Sequence, residues 1–339
     1  MNSINTGTPE VAAPITMSAK EAAAAAPAID ELSWELNTLA LKKDDQAQLA
    51  ASMLIHAGIC DIFRVEEADV HHLVAEVMSK YNETTFHNFA HAVSVMHTLY
   101  LLFKDIKGCW EPFEVVTLLI AALCHDIDHQ GLSNSYYQNS KKAIGAHYDE
   151  NILERHHIAT TMSILTEGRS VLSVLSEAER ARFDDLVEFA ILGTDMSFHG
   201  TQLKFLQEEY KDGPQDLEAL KTDPAKRKKL MQSLLHTADL YNPIKPFDVT
   251  REWAIRLQTE FNQQCDLERQ EGLPVLPFMD GRGETALAKG ETGFISFVAK
   301  PWWEAIAAAF PVVKPHLDTI TNNVEAWKSL IPTEPDTAK

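Results

Sequence analysis

Apolar residues recur along this chain mostly with the spacing of an α-helix. Phe89, Ala92, Val95, Met96, Leu99, Leu102 and Phe103 follow i, i+3, i+4 steps and predict an amphipathic helix. Val115 to Cys124 is apolar almost all round, the pattern of a helix buried at the centre of a helical protein. Leu230, Leu234 and Ala238 form a further stripe, and Trp253, Leu257 and Phe261 are spaced by four. Alternating strands bounded by hairpin turns are absent. Gly272 to Gly293 interrupts the pattern with Pro274, Pro277, Gly281, Gly283 and Gly290, and predicts one long loop. The expected fold is all-α, a compact multi-helix unit.

Composition sets the boundaries. Residues 1–30 are rich in Ala, Thr, Ser and Pro and read as a mobile leader; 31–332 stay even in composition and read as one domain; 333–339 read as a polar tail. With 30 basic and 49 acidic side chains the formal net charge is −19, which argues against binding a nucleic-acid polymer or an anionic lipid surface. The longest apolar run, Val115 to Cys124, is too short to insert across a membrane. No secretory signal is visible, and Cys60, Cys109, Cys124 and Cys265 show no paired spacing, so a cytoplasmic location is expected. Cys124, inside the apolar run, reads as a buried thiol. The Lys226-Arg227-Lys228-Lys229 run reads as a solvated helix face.

Histidines carry the first chemical signal. Of 14, eight (His87, His91, His97, His125, His129, His147, His156 and His157) fall between positions 87 and 157. His87 and His91 are four apart and can share a helix face, a spacing that by itself is commoner in surface and core histidines than in ligands. The adjacent His125-Asp126 pair is more specific. It follows the buried apolar run, where an unpaired charge is costly, and no Lys or Arg occurs between Val115 and Gln138 to neutralise Asp126 or Asp128. Asp239 also closes an apolar stretch. Two histidines and two aspartates suit a divalent cation of zinc type with positions open to water. One carboxylate can bridge to a second, oxygen-preferring ion such as magnesium. Two such cations about 4 Å apart would activate a water and clamp a phosphoryl centre. His71 and His72 read as surface or packing residues.

These patterns come in a particular order: HNFAH from His87, HDIDHQG from His125, YDENILERHH from Tyr148, TDMS from Thr194, HTADLYNP from His236, EFNQQCDLERQEG from Glu260 and ETGFISF from Glu291. In that order the chain resembles the catalytic domain of class I 3′,5′-cyclic nucleotide phosphodiesterases, a branch of the HD metal-phosphohydrolase superfamily. The matching run extends from about Tyr81 to Trp303. The resemblance implies an all-α catalytic fold with its metal site at the bottom of a deep pocket, and hydrolysis of a cyclic nucleotide to the 5′-monophosphate. It implies His91, His125, Asp126 and Asp239 as zinc ligands, with Asp126 bridging to a magnesium or manganese ion. Glu154, His156 and Thr194 would hold that ion's waters, His129 would contact a bridging hydroxide, and His87 would be the general acid for the leaving 3′ oxygen. Of the pair His236 and Asp239, only the aspartate is a ligand in the family. Active-site inhibitors are implied as further ligands.

The base pocket departs from the family pattern. Where a Gln usually precedes Gly-Phe by two residues, this chain has Glu291 before Gly293-Phe294. An ionised glutamate only accepts hydrogen bonds, which suits the adenine amino group and clashes with guanine O6; protonation would restore a donor. Phe294 and Leu257 match the aromatic and aliphatic faces of a purine clamp. Asn242 matches a residue that contacts adenine in cAMP-preferring members. Phe86 stands where a tyrosine is usual, and Phe278 and Met279 are placed at the pocket's outer end. The expected activity is therefore a phosphodiesterase favouring cAMP. Dual cAMP/cGMP activity, another HD phosphohydrolase acting on linear nucleotides, and a non-catalytic nucleotide-binding protein remain as alternatives.

Overall fold

The computed structural model describes residues 26–166 and 171–332. The expected polar tail, and all of the expected leader except its last five residues, lie outside this range. Ala26 and Ile29 already pack against the core.

Helices account for the architecture, and no β-strand occurs among the described residues. The first group is α1 (Lys43–His56), α2 (Ile59–Phe63), α3 (Glu67–Lys80), α4 (Phe89–Asp105) and α5 (Pro112–Cys124). Next come α6 (Asn134–Ser140), α7 (Ile152–Thr166), α8 (Glu177–Leu192), α9 (His199–Glu209), α10 (Leu217–Leu220) and α11 (Pro224–Asp239). The last are α12 (Phe247–Glu271), α13 (Glu284–Phe294), α14 (Lys300–Ala309) and α15 (Pro315–Ser329), with a π-helical segment, Ile295–Ala299, joining α13 to α14. No described helix is long and apolar enough to cross a membrane.

α4 and α5 form the centre, and both stripes read from the sequence become buried helices. The expectation for α4 needs correction in one respect. Every residue from Phe89 to Phe103 is buried, polar His91, Ser94, His97 and Thr98 included, so the helix is enclosed rather than amphipathic. Its neighbours α1, α5 and α11 cover all sides. Cys124 is fully buried, and burial pushes its thiol up to about 12.

The expected loop from Gly272 to Gly293 is shorter than predicted. Gly272 ends α12 in the left-handed region at φ 69°, with Leu273 N–H returning to Glu268 O at 2.8 Å. Gly283, at φ 81°, precedes α13, so the irregular stretch stops there and Glu291 and Phe294 lie on a helix. Leu287 and Ala288 bury the helix against the core, and this packing outweighs the low propensity of Gly290 and Gly293.

The basic run on α11 also departs from its reading as a solvated face. Arg227 is 2% exposed and its Nε donates to both Glu114 oxygens, at 2.9 and 2.8 Å. Its remaining donors reach Glu111 and the carbonyls of Leu220 and Lys221. Lys226 and Lys228 pair with Glu209 and Asp185. Glu114 begins α5 and Arg227 begins α11, so the ion pair fixes the register of two helices that run in the same direction. About 17 Å further on, at a rise of 1.5 Å per residue, both helices end in candidate ligands.

Candidate active site

Three helix ends meet at the candidate centre. Asn88 caps α4, its Oδ1 accepting from the N–H groups of Ala90 and His91 at 3.0 and 3.3 Å, which places His91 in the first turn. His87 therefore precedes the helix. The shared helix face expected for His87 and His91 is corrected: the cap breaks it, and the two rings meet edge to face at 5.8 Å. His125 and Asp126 follow the C-terminus of α5, and Asp239 is the last residue of α11.

His91 Nε2 lies 3.3 Å from Asp126 Oδ2 and 3.2 Å from Asp239 Oδ1; His125 Nε2 lies 3.2 and 3.3 Å from the same two oxygens. Ligand atoms about 2.0–2.1 Å from a tetrahedral ion are separated by about 3.3 Å, so this spacing is that of a coordination shell. His125 Nδ1 donates to Ala122 O at 2.8 Å, which leaves a lone pair on Nε2. The buried Nε2 atoms of His91 and His125 have no hydrogen-bond partner. Burial favours neutral His125, yet the Asp126 and Asp239 carboxylates raise it well above the ordinary imidazole range. A divalent cation resolves the same conflict without protons. The imidazoles are 1% and 0% exposed and the carboxylates 15% and 23%, so the cluster is sealed behind and open on its acidic side.

A second group, His87, His129 and Glu260, also brings potential ligand atoms together, but hydrogen bonds already occupy them. His87 Nδ1 meets Glu260 Oε1 in a short contact, and Glu260 Oε2 accepts from the N–H groups of Phe86 and His87 at 2.8 and 3.2 Å. Burial opposes ionisation of His87, but the adjacent Glu260 carboxylate wins and raises it to about 9. Glu260 falls to about 2, burial being outweighed by His87. The His129 ring stacks on His87 at 4.1 Å. Its Nδ1 accepts from Gly131 N–H at 2.9 Å, so its proton sits on Nε2. Burial and then His87 hold His129 well below its usual range, which keeps it neutral.

Glu154, His156 and Thr194 are each held by hydrogen bonds of their own. Glu154 accepts from Asn134 Nδ2 at 3.0 Å, and burial together with Asp195 raises it to about 7. Thr194 Oγ1 donates to Ile191 O at 2.8 Å. His156 Nε2 pairs with Asp128 Oδ2 at 2.8 Å, while Asp128 Oδ1 accepts from Asn82 and Gln130. Asp128 sits in the left-handed region at φ 60°, with its carboxylate held by these three side chains. His157 Nε2 comes within 3.8 Å of Asp126 Oδ1, and burial keeps it neutral at about 4. Sequence reasoning missed Glu260, His157 and Asn134. The first two stood within recognised motifs, and only the fold shows which atoms they face. His236 is tied to His199 Nδ1 at 2.9 Å, and His71 and His72 are exposed.

The expected base-pocket residues come from five segments: the loop before α4, the turn after α11, α12, the loop between α12 and α13, and α13. Asn242 and Thr250 interlock, Asn242 Nδ2 donating to Thr250 O at 3.3 Å and Thr250 Oγ1 to Asn242 O at 2.8 Å; Asn242 Oδ1 is buried without a partner. Leu257 and Phe294 are half-buried on the core. Phe86 packs on His91 at 4.7 Å and on Trp253 at 5.4 Å, joining this region to the ligand cluster. Glu291 is half-buried, no charged or hydrogen-bonding side chain among the described residues meets its carboxylate, and burial raises it to about 7. Phe278 and Met279 diverge: Phe278 is 73% exposed and packs edge-on to Phe261, whereas Met279 is 2% exposed beneath the loop.

The family model for 3′5′-cyclic nucleotide phosphodiesterases matches residues 86–320. A probable 3′,5′-cyclic-AMP phosphodiesterase of Caenorhabditis elegans, pde-4, is 31% identical over 319 residues, covering 92% of this chain and 46% of the relative. A cGMP-specific 3′,5′-cGMP phosphodiesterase of Dictyostelium discoideum is 28% identical over 305 residues, covering 88% and 64%. This chain thus spans less than two thirds of either relative. The crystal structure of the phosphodiesterase domain of the RhoPDE fusion protein from the choanoflagellate Salpingoeca rosetta superposes with a TM-score of 0.85 at 38% identity, covering 88% of this chain and 95% of that one. The family match, the helical fold and the His/Asp centre agree, and the chain belongs to the 3′,5′-cyclic nucleotide phosphodiesterase family.

Proposed function

We propose that this chain hydrolyses 3′,5′-cyclic nucleotides to nucleoside 5′-monophosphates, with cAMP preferred. One observation carries the reading: two buried, unpartnered imidazole nitrogens face two carboxylates at ligand–ligand spacing, beside a histidine that a glutamate keeps protonated. The donor set of His91, His125, Asp126 and Asp239 fits zinc, and the second oxygen of Asp126 fits an oxygen-seeking magnesium or manganese ion. Glu154, His156 and Thr194 would hold that ion's waters. Cations bound there would supply Lewis acidity to the phosphoryl oxygens and acidity to a water.

The chain's own groups account for the remaining chemistry. Hydrolysis forms one P–O bond from water and breaks the bond to the 3′ oxygen, which must gain a proton as it leaves. His87, charged at neutral pH, gives that proton from Nε2, because Nδ1 is held by Glu260. His129, neutral and protonated on Nε2, orients the attacking oxygen. Leu257 and Phe294 would sandwich the purine, Phe86 would close the pocket floor, and Asn242 Oδ1 would accept from the adenine amino group. Glu291 would meet the same purine edge. Four free cysteines suit a reducing, cytoplasmic setting. Hydrolysis of cAMP and cGMP measured side by side, with the product identified, tests the reading. A higher kcat/KM for cAMP with 5′-AMP as product supports it; equal values support dual specificity; no turnover with added magnesium or manganese overturns it.

A further inference from the structure

Lys245 lies in the turn between α11 and α12 that also carries Asn242. Its side chain is 1% exposed and makes no ion pair among the described residues. Its Nζ donates to one acceptor, the carbonyl of Trp34, at 2.8 Å. Burial lowers the amine to about 7. A buried amine without a counter-ion is a net cost, and a methionine of similar length would fill the space without it. Besides lying 5.9 Å from the centroid of the Tyr241 ring, the amine adds one directional bond between segments 211 residues apart in sequence.

The segment that it holds runs from Ile29 to Leu41 and lies over the fold as a strap. Leu32, Thr38 and Leu41 are buried. Trp34 donates from Nε1 to Asp105 Oδ2 at 3.0 Å and packs its ring on His316 at 4.2 Å. Thr38 Oγ1 donates to Ala90 O at 3.1 Å and touches the Ser94 hydroxyl, so the strap lands on α4 one residue before His91. Its other landing, Lys245, is in a tightly bonded turn. The Lys245 N–H donates to Asn242 O at 3.1 Å, and its carbonyl accepts from Asn323 Nδ2 at 2.8 Å and from Thr250 Oγ1 at 3.1 Å. That turn starts immediately after Asp239.

We infer that Lys245 is a positioning residue: by holding the Trp34 carbonyl it fastens the Ile29–Leu41 strap across the two elements that carry His91 and Asp239. The strap then fixes the spacing of the two sides of the centre, and releasing it slackens both. This rests on the proposed function only where hydrolysis is the readout.

The test uses the full chain, with Lys245→Met, Trp34→Ala and the double variant compared with wild type. Each single change lowers kcat/KM for the cyclic nucleotide about tenfold, the scale of a sub-ångström misplacement of a reacting group. The double variant is no slower than the worse single one, because the Lys245 bond to the Trp34 carbonyl and the Trp34 side chain's bond to Asp105 and packing on His316 anchor the same strap, and losing either releases it. Amide exchange at 239–247 and 88–94 becomes faster in each single variant while circular dichroism stays native. If Trp34→Ala fails to fold, Thr38→Val replaces it, deleting the hydroxyl contacts to Ala90 and Ser94 on α4. Native exchange and kinetics in Lys245→Met overturn the inference, as do fully additive losses. If wild type hydrolyses nothing, the functional reading fails and the exchange measurement still decides this one.

Discussion

His87 and Glu260 form a couple in which the carboxylate holds ring Nδ1 and leaves Nε2 unheld by it. Glu260 is itself fixed by the backbone N–H groups of Phe86 and His87. The pair joins the loop before α4 to α12, elements 173 residues apart in sequence.

Glu260→Gln removes the charge that raises His87 to about 9. Burial is then opposed only by the smaller influence of Asp126 and Asp239, and the imidazole falls from about 9 toward its ordinary range. A general acid works only while protonated, so activity is lost as pH rises through its pKa. The variant should therefore show an alkaline limb moved downward from about 9, with kcat at alkaline pH reduced about 10-fold or more. A pH–rate profile with its alkaline limb unmoved would separate Glu260 from the proton donor.

How far the sequence disclosed this arrangement follows from the physics of each feature. Helical periodicity and the apolar Val115–Cys124 run disclosed the all-α class, because burial imposes its pattern locally. His91, His125, Asp126 and Asp239 were legible as donor types, since acids without nearby bases at the edge of a core need a cation. Their convergence was not legible, because it depends on three helix ends and on the register set by Arg227 and Glu114. Enclosure of α4 was missed for a similar reason: periodicity reports one apolar face, and Ser94, His97 and Thr98 are polar residues inside a core. The predicted loop ran too long because Gly290 and Gly293 resemble breakers, while tertiary packing on Leu287 and Ala288 carries α13 through them.

Glu291 supplies a prediction for substrate binding. With its carboxyl raised to about 7, the group is protonated below that pH and can donate as well as accept. KM for cAMP should therefore rise several-fold as pH increases through about 7, while Glu291→Gln gives a flat KM over the same range. Parallel KM profiles for the two proteins would mean that Glu291 does not touch the purine.

The buried pair at the far ends of α5 and α11 predicts a loss of stability. Arg227→Met leaves the buried Glu114 with only the more exposed Arg182 as counter-ion, and losing the buried partner costs up to about 3–5 kcal/mol. Urea denaturation should show this loss. Replacing Arg227 and Glu114 together by Met and Leu should recover most of it, because the buried carboxylate is gone. A single variant as stable as wild type would exclude the pair as the register lock.

The central claim is that Asp239 completes a metal centre on which hydrolysis depends. Metal content and cAMP turnover measured together on wild type and Asp239→Ala test it most directly. The folded variant should lose bound zinc, and turnover should fall at least 10³-fold, without recovery in excess magnesium or manganese. Near-normal turnover by a metal-free Asp239→Ala protein would contradict it.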